Sequence, residues 1–255
     1  MTQPSDAKVV PLSAARCTCR DCKLQTLCIG RGLEAHDLEE LSGIVRRPRS
    51  LARGDQLYRV GDRFRALYVV RSGSLKTFAV ADDGREQVIG FHLPGDLVGL
   101  DAICSMSHPS VAQALETTAV CELPFERFED VGGLNGALQR QLIRAMSKEI
   151  RNEEEHVMAL GKMSAEERLA ALLLDFASRF RERGYSAREF HLRMSRHDIG
   201  NYLGLAMETV SRLFSRFQEL GLIVVERKFV RILDPQSLAR FTHEAGRGVG
   251  CRVGG

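Results

Sequence analysis

The sequence predicts an α+β chain in three parts: a roll of short β-strands, one long helix, and a small helical unit closed by a strand pair. Three patterns predict it. Between about Leu51 and Phe125, short apolar runs alternate with turns at Gly54-Asp55, Gly61-Asp62, Ser72-Gly73, Asp83-Gly84 and Gly95-Asp96. The runs Ala66–Val70, Ser74–Val80 and Gln87–Leu93 are rich in β-branched and aromatic residues, and many short strands with regular turns make a roll or barrel. From about Leu134 to Gly161 the apolar residues fall at helical spacing, and beyond Gly161 shorter helical patterns follow between capping signals.

Composition narrows the class. At 255 residues the chain is long enough for one large domain or two modest ones, each with its own core. No apolar run approaches about 20 residues, the length a membrane-spanning helix needs. Residues 1–16 have neither the charged start nor the apolar stretch of a signal peptide, so a cytoplasmic protein is expected. Net charge is +3 and unevenly placed: residues 1–163 carry 21 Lys+Arg against 22 Asp+Glu, residues 164–255 carry 15 against 11. The mildly basic C-terminal part suits a surface that faces nucleic acid. Seven cysteines in a reducing compartment do not read as a disulfide framework. Cys17, Cys19, Cys22 and Cys28 crowd into twelve residues, too densely for ordinary core, while Cys104, Cys121 and Cys251 are scattered.

After a loose tail at 1–16 and the cysteine segment, His36–Ile44 reads as a short amphipathic helix through Leu38 and Leu41. In the long helix, Ile143, Met146, Ile150, Glu153, Val157 and Leu160 recur at spacings of 3, 4, 3, 4 and 3, the seam of a two-stranded coiled coil. So narrow a stripe on so long a helix fits pairing with a second copy of the chain better than packing within one domain. Glu153 is the odd member, because in a parallel pair it faces its twin and like charges repel. Either it swings out into water as the helix frays, or it holds the dimer marginal so that a second event decides pairing.

Ser164-Ala-Glu-Glu opens the next helix as a capping box, and that helix runs to about Arg181 with Leu169, Leu172, Leu173 and Phe176 on one face. A short strand, Glu189–Leu192, follows. Ser195 can cap a helix whose apolar face is Ile199 and Leu203, Gly204 permits a tight turn, and a second helix runs from about Met207 to Leu220, closed by Gly221. Val210, Leu213, Phe214, Phe217 and Leu220 form its core stripe; Glu208, Ser211, Arg212 and Ser215 lie opposite. That is a helix-turn-helix with its reading side exposed. Arginine donates twice to guanine and glutamate accepts from cytosine, and Glu208 and Arg212 stand side by side four residues apart. A solvated surface pair is the bland alternative. Leu222–Val225 and Val230–Leu233, joined by Glu226-Arg-Lys-Phe, read as a wing, with Arg227 and Lys228 at its tip either meeting phosphates or simply solvated.

Taken in order, these parts, with the helix Glu208-Thr-Val-Ser-Arg-Leu, resemble the cyclic-AMP-receptor/FNR superfamily of bacterial transcription regulators. Cys19-x2-Cys22-x5-Cys28 with the distant Cys121 resembles the ligand set of its FNR (fumarate and nitrate reduction regulator) branch. Phe91-His-Leu-Pro-Gly-Asp-Leu-Val-Gly-Leu-Asp-Ala-Ile, Ala112-Gln-Ala-Leu-Glu-Thr and Asn201-Tyr-Leu-Gly-Leu are also FNR-like, so the resemblance covers about residues 17–240. It implies a cluster-binding cysteine segment at 1–30, a cyclic-nucleotide-binding-like β-roll (jelly roll) at 31–133, a dimerisation helix at 134–161, a winged helix-turn-helix at 162–240 and a flexible tail at 241–255. It further implies a [4Fe–4S] cluster on Cys19, Cys22, Cys28 and Cys121. Without oxygen this cluster supports a homodimer that binds double-stranded DNA and controls anaerobic-metabolism genes; oxygen converts it to a [2Fe–2S] form and dimerisation is lost. The implied half-site is of the TTGAT type, read by Glu208, Ser211 and Arg212, and Glu153 matches an acidic seam residue that keeps the cluster-free form monomeric. Asp82-Asp83-Gly84-Arg85, Ser72 and Arg183 fall where relatives touch RNA polymerase, although Arg85 stands in place of an acidic residue.

Departures and alternatives accompany that implication. Lys23 replaces a small polar residue after the second ligand, which bears on oxygen sensitivity. Cys17 is a bystander or a substitute ligand; Cys104 and Cys251 read as bystanders. A cyclic-nucleotide phosphate needs an Arg followed by a small hydroxyl residue, and Ser107-His-Pro-Ser-Val-Ala-Gln has no Arg, so no cyclic nucleotide is expected. Structural zinc would also take four thiolates, but usually from two short pairs. A haem sensor could use His36, His92 or His108, leaving the cysteines without a purpose. An iron–sulfur enzyme lacks support, with no nucleotide-binding glycine loop, no radical-type cysteine motif and no acid–base pair.

Overall fold

The computed structural model describes residues 18–130 and 136–243. Helix α1 (Ala35–Ile44) leads into strands β1 (Arg46–Leu51), β2 (Gln56–Tyr58), β3 (Ala66–Ser72), β4 (Leu75–Val80), β5 (Glu86–His92), β6 (Leu97–Val98), β7 (Val111–Ala114) and β8 (Thr118–Pro124). They form two four-stranded sheets, β1-β8-β3-β6 and β2-β7-β4-β5, paired antiparallel throughout. Helices α2 (Phe125–Asp130), α3 (Gly136–Lys162) and α4 (Ala165–Glu182) follow, then β9 (Glu189–His191), α5 (Arg196–Leu203), α6 (Met207–Glu219), β10 (Ile223–Glu226), β11 (Phe229–Ile232) and α7 (Pro235–His243). The α+β class stands. Among the described residues, no helix is long and apolar enough to cross a membrane.

Side chains alternate along a strand, and here both faces are apolar, so each sheet needs cover on two sides. On β3, Tyr68 and Val70 turn inward to Leu51, Leu57, Leu75, Val98 and Val120, the core between the sheets. Leu67 and Val69 turn outward to a second cluster with Leu38, Leu41, Leu123 and Leu138. The outer face of the other sheet, through Phe78, Val88 and Phe91, shares a core with Leu173, Phe176, Ile199 and Phe217 of the C-terminal unit. The roll is therefore sandwiched between the cysteine segment with α1 on one side and the helix-turn-helix unit on the other.

Several boundaries differ from the sequence-based expectation. Strand β1 was not foreseen, because its Arg-Arg-Pro-Arg start carries no strand signal; as an edge strand with an irregular register between Arg46 and Arg49, it tolerates Pro48. Helix α7 runs past the expected boundary at 240 to His243. Leu220, expected in the core stripe, is 53% exposed. The α6 terminus explains this. Gly221, at φ 69, donates to the Gln218 carbonyl and Leu222 to that of Phe217, a closure that turns Leu222 inward instead. The wing turn is also tighter than expected, since Glu226 pairs with Phe229 and leaves only Arg227 and Lys228 between the strands.

His92 gives the roll a pH dependence. It is buried on β5 with Nε2 3.0 Å from Thr77 Oγ1, and burial pushes its pKa down to about 4. Between that value and the unfolded ~6.5, the unfolded chain takes up a proton that the fold refuses. Its stabilising contribution is therefore complete above pH ~6.5 and is lost as pH falls toward 4, about 2 kcal/mol of it by pH 5. Urea unfolding at pH 7 and pH 5 should show this drop, and His92→Gln, which keeps a bond to Thr77, should shrink it, leaving the shares of His108 and His156, which burial also lowers. An equal drop in the variant would assign the pH dependence elsewhere.

Candidate functional site

The predicted residues gather at two places linked by α3. At the first, the cysteine segment winds through tight turns in which the amides of Cys22, Gln25, Leu27 and Cys28 donate to carbonyls three or four residues back. Its start is pinned to α1: the Cys19 amide donates to Ser42 Oγ at 2.8 Å, and that hydroxyl donates to the Leu38 carbonyl at 2.6 Å. Its end is seated on the roll, where a Cβ added to Gly95 (φ +96) would lie 2.8 Å from Leu27 Cβ. Cys121 is paired with Val69 across the first sheet, and alternation with the inward Val120 puts its side chain on the outer face. Cys19, Cys28 and Cys121 all pack against the same apolar cluster, which includes Leu138 and is flanked by Ala137 and Leu142 of α3.

The thiols feel one another. Burial pushes the Cys121 thiol up to about 11; Arg71 opposes this, and Cys22, Cys19 and Cys28 reinforce it. Burial likewise raises Cys28, against a hydrogen bond from the Gly30 amide to its Sγ at 3.4 Å, with Cys22 and Cys19 adding to the rise. Such a group stays protonated unless a cationic partner compensates the thiolates. No disulfide joins the described cysteines, and Cys104 is exposed. Among the described residues no three or more His, Cys, Asp or Glu side chains converge as they would around one metal ion. The thiolates of a cluster bind different irons, so they have no need to meet at one point. Cys17 and Cys251 lie outside the described residues.

Along α3 only Leu138 is fully buried. Ile143, Ile150 and Val157 stand 58%, 57% and 66% exposed, Met146 and Glu153 are also exposed, and together they make an uncovered apolar stripe interrupted by one acid. Leu160 is half-buried, its Cδ2 3.3 Å from where a Gly204 Cβ would lie. His156 stacks on Tyr202 of α5 with ring centroids 4.0 Å apart. The end of α3 is thereby docked on the turn of the helix-turn-helix.

The second place is that turn and the helix after it. Ser195 caps α5 in a reciprocal box with Asp198, and Gly204 takes the left-handed conformation at φ 64. Arg168 Nη1 donates to the Leu203 carbonyl at 2.6 Å, bracing the turn from α4. Val210, Leu213, Phe214 and Phe217 are buried, which leaves Glu208, Ser211 and Arg212 exposed on the opposite side of α6. Arg212 donates to Thr209 Oγ1 at 3.3 Å and Ser211 to the Met207 carbonyl at 3.0 Å. At the wing, Arg227 is exposed at φ 57, but the Lys228 ammonium is tied to the Arg193 carbonyl at 2.7 Å rather than held out toward phosphate. Arg183 is a clear correction. Expected on a polymerase-facing surface, it is only 4% exposed and paired with Asp96, whereas Ser72 and Asp82–Arg85 are exposed.

The fold and the exposed reading helix define a DNA-binding transcription regulator of the helix-turn-helix type, not an enzyme. Residues 167–241 match a Crp-like helix-turn-helix domain and residues 48–132 a cyclic nucleotide-binding domain. The chain is 52% identical over 220 residues to "Transcriptional activator protein Anr" of Pseudomonas protegens, spanning 86% of this chain and 90% of that one. It is 47% identical over 222 residues to the "Fumarate and nitrate reduction regulatory protein" of Escherichia coli, spanning 87% and 89%. The solved structure of FixK2 from Bradyrhizobium japonicum superposes with a TM-score of 0.71 at 30% identity, covering 80% of this chain and 98% of that one. The chain belongs to the FNR branch of the cyclic-AMP-receptor/FNR superfamily.

Gly200 shows how little room the reading turn has: a Cβ there would lie 2.6 Å from the Leu205 carbonyl oxygen. Gly200→Ala is expected to pry α5 from α6, destabilising the unit by about 1–3 kcal/mol and weakening DNA binding. Thermal unfolding together with DNA titration checks this, and unchanged values in both would show slack in the turn.

Proposed function

We propose that this chain is an oxygen-responsive activator of anaerobic-metabolism genes that acts in the cytoplasm. It pairs as a homodimer on TTGAT-type palindromic DNA when Cys19, Cys22, Cys28 and Cys121 hold a [4Fe–4S] cluster. The proposed organisation is a cysteine segment at 1–30, a roll at 31–133, a dimerisation helix at 134–161 and a DNA-reading unit from 162. The observation that carries the reading is the shared apolar patch: Cys19, Cys28 and Cys121 rest on the same cluster as the first turns of α3. A cationic iron core would offset the cost of ionising Cys28 and Cys121, which burial and then the neighbouring cysteines oppose, and the Gly30 N–H aimed at the Cys28 sulfur is the kind of hydrogen bond that tunes such groups. When bound, the cluster supplies an oxygen-labile tie between the cysteine segment and β8.

The protein's own residues do the rest. Ala137, Leu138 and Leu142 share the patch, so the seat of the cysteine segment sets where α3 begins. Ile143, Met146, Ile150, Val157 and Leu160 offer a seam to a second copy, and Glu153 opposes it. The neighbouring Glu149 carboxyl is raised chiefly by burial, with Asp96 and then Glu153 adding to the rise. Glu208, Ser211 and Arg212 meet base edges in the major groove. The exposed Asp82–Arg85 hairpin and Ser72 form the proposed RNA polymerase face. A cyclic nucleotide is not the proposed effector: besides lacking an Arg, the 107–113 stretch turns inward, with His108 stacked 3.7 Å from Tyr58 and Ser110 Oγ donating to Asp101 at 2.7 Å.

Anaerobic purification tests this directly. Brown protein with iron and sulfide, shifting a TTGAT…ATCAA duplex before but not after air, is the expected result, and Cys121→Ser should lose both the iron and the shift. Colourless, air-indifferent protein holding zinc would overturn the cluster. Separately, Glu153→Ala should raise the dimer fraction in air severalfold by analytical ultracentrifugation; an unmoved monomer–dimer balance counts against Glu153 as the brake.

A further inference from the structure

Among the polar contacts between the roll and the DNA-reading unit of one protomer, one group centres on Asp96, in the turn from β5 to β6. Its two oxygens are divided between Arg179 on α4 and Arg183 at that helix's C-terminal cap: Arg179 Nη2 donates to Oδ2 and Arg183 Nη2 to Oδ1, each at 2.7 Å. Each arginine also grips the backbone of the same segment, Arg179 at the Phe91 carbonyl (2.5 Å) and Arg183 at that of Pro94 (2.8 Å). The Leu93 amide donates to Asp96 Oδ2 at 2.8 Å and holds the carboxylate in place. The group is enclosed, with Asp96 only 19% exposed, and charge-assisted bonds of this kind are strong and directional. On α5, Asp198 pairs with Lys76 of β4 at 2.7 Å and Asn201 Nδ2 donates to the Glu86 carbonyl at 2.6 Å, so a second helix is held to the same sheet.

An apolar contact lets neighbouring units slide, whereas a carboxylate shared by two guanidinium groups fixes their angle. That angle matters, because paired recognition helices must meet grooves about one DNA turn, ~34 Å, apart. We propose that Asp96 is a positioning residue for operator binding: it fixes the orientation of the DNA-reading unit on its own roll, and so the separation of the two α6 helices in the pair. This rests on the reading of a homodimer on a palindromic site.

The experiment titrates anaerobic wild type and Asp96→Asn, at one salt concentration, against TTGAT…ATCAA duplexes whose half-sites are at the natural spacing or moved apart by one or two base pairs. The wild type should discriminate sharply. The variant should bind the natural operator at least tenfold more weakly yet lose little more on the shifted duplexes, so that the spacing preference flattens; cluster content and dimer fraction should be unchanged. Arg183→Gln, a milder change that keeps Asp96 and Arg179 paired, should flatten the preference partially and serves if Asp96→Asn folds poorly. A loss equal at every spacing, or an intact preference in the variants, overturns this inference alone. A wild type indifferent to spacing overturns it together with the paired reading.

Discussion

The structure depends on the need of two strands to be covered on both faces. β3 and β8 send apolar residues in both directions, and the inward set closes the roll whatever lies outside. The outward set, Leu67, Val69, Leu123 and Cys121, is stable only beneath other chain, and what covers it is α1, the cysteine segment and the head of α3. A sensor site placed there touches the lid of a core. Any change in how the lid sits is felt as a change in burial, at roughly 25 cal/mol per Å² of apolar surface.

Helix α3 has two neighbours, one at each end, and an open stretch between them. Its first turns belong to the outer core through Leu138, and its last turns belong to the reading unit through His156 and Leu160. Between them its remaining face carries exposed aliphatic side chains that water solvates poorly. One helix thus touches the cysteine patch at one end and the DNA-reading turn at the other, with the open stripe between them. The ion pairs from α4 and its C-terminal cap to the β5–β6 turn add a second attachment between roll and reading unit, off the axis of that helix.

What the sequence disclosed was what is decided locally. Ser164 signals a helix start through a carboxylate three residues on and Ser195 by its own hydroxyl, and both close as reciprocal boxes, the second with Asp198. Gly204 and Gly221 mark turns because each takes a left-handed conformation. The proximity of Cys121 to the other cysteines came from family resemblance, and the fold supplies the physical reason, the parity of its position on β8. The docking of the reading unit was not legible, since Lys76 with Asp198 and Asp96 with Arg179 and Arg183 join residues more than eighty positions apart with no spacing rule. Leu220 misled because the helical period was continued one residue beyond the point where backbone closure ends it.

Gly95 is glycine for two independent reasons, the positive φ of its turn and the methylene of Leu27 lying where its own β-carbon would go. Shrinking residue 27 lifts only the second, and the backbone still refuses a side chain. The ledge on which the thiol-bearing loop rests is, in that sense, set at one thickness by the backbone itself.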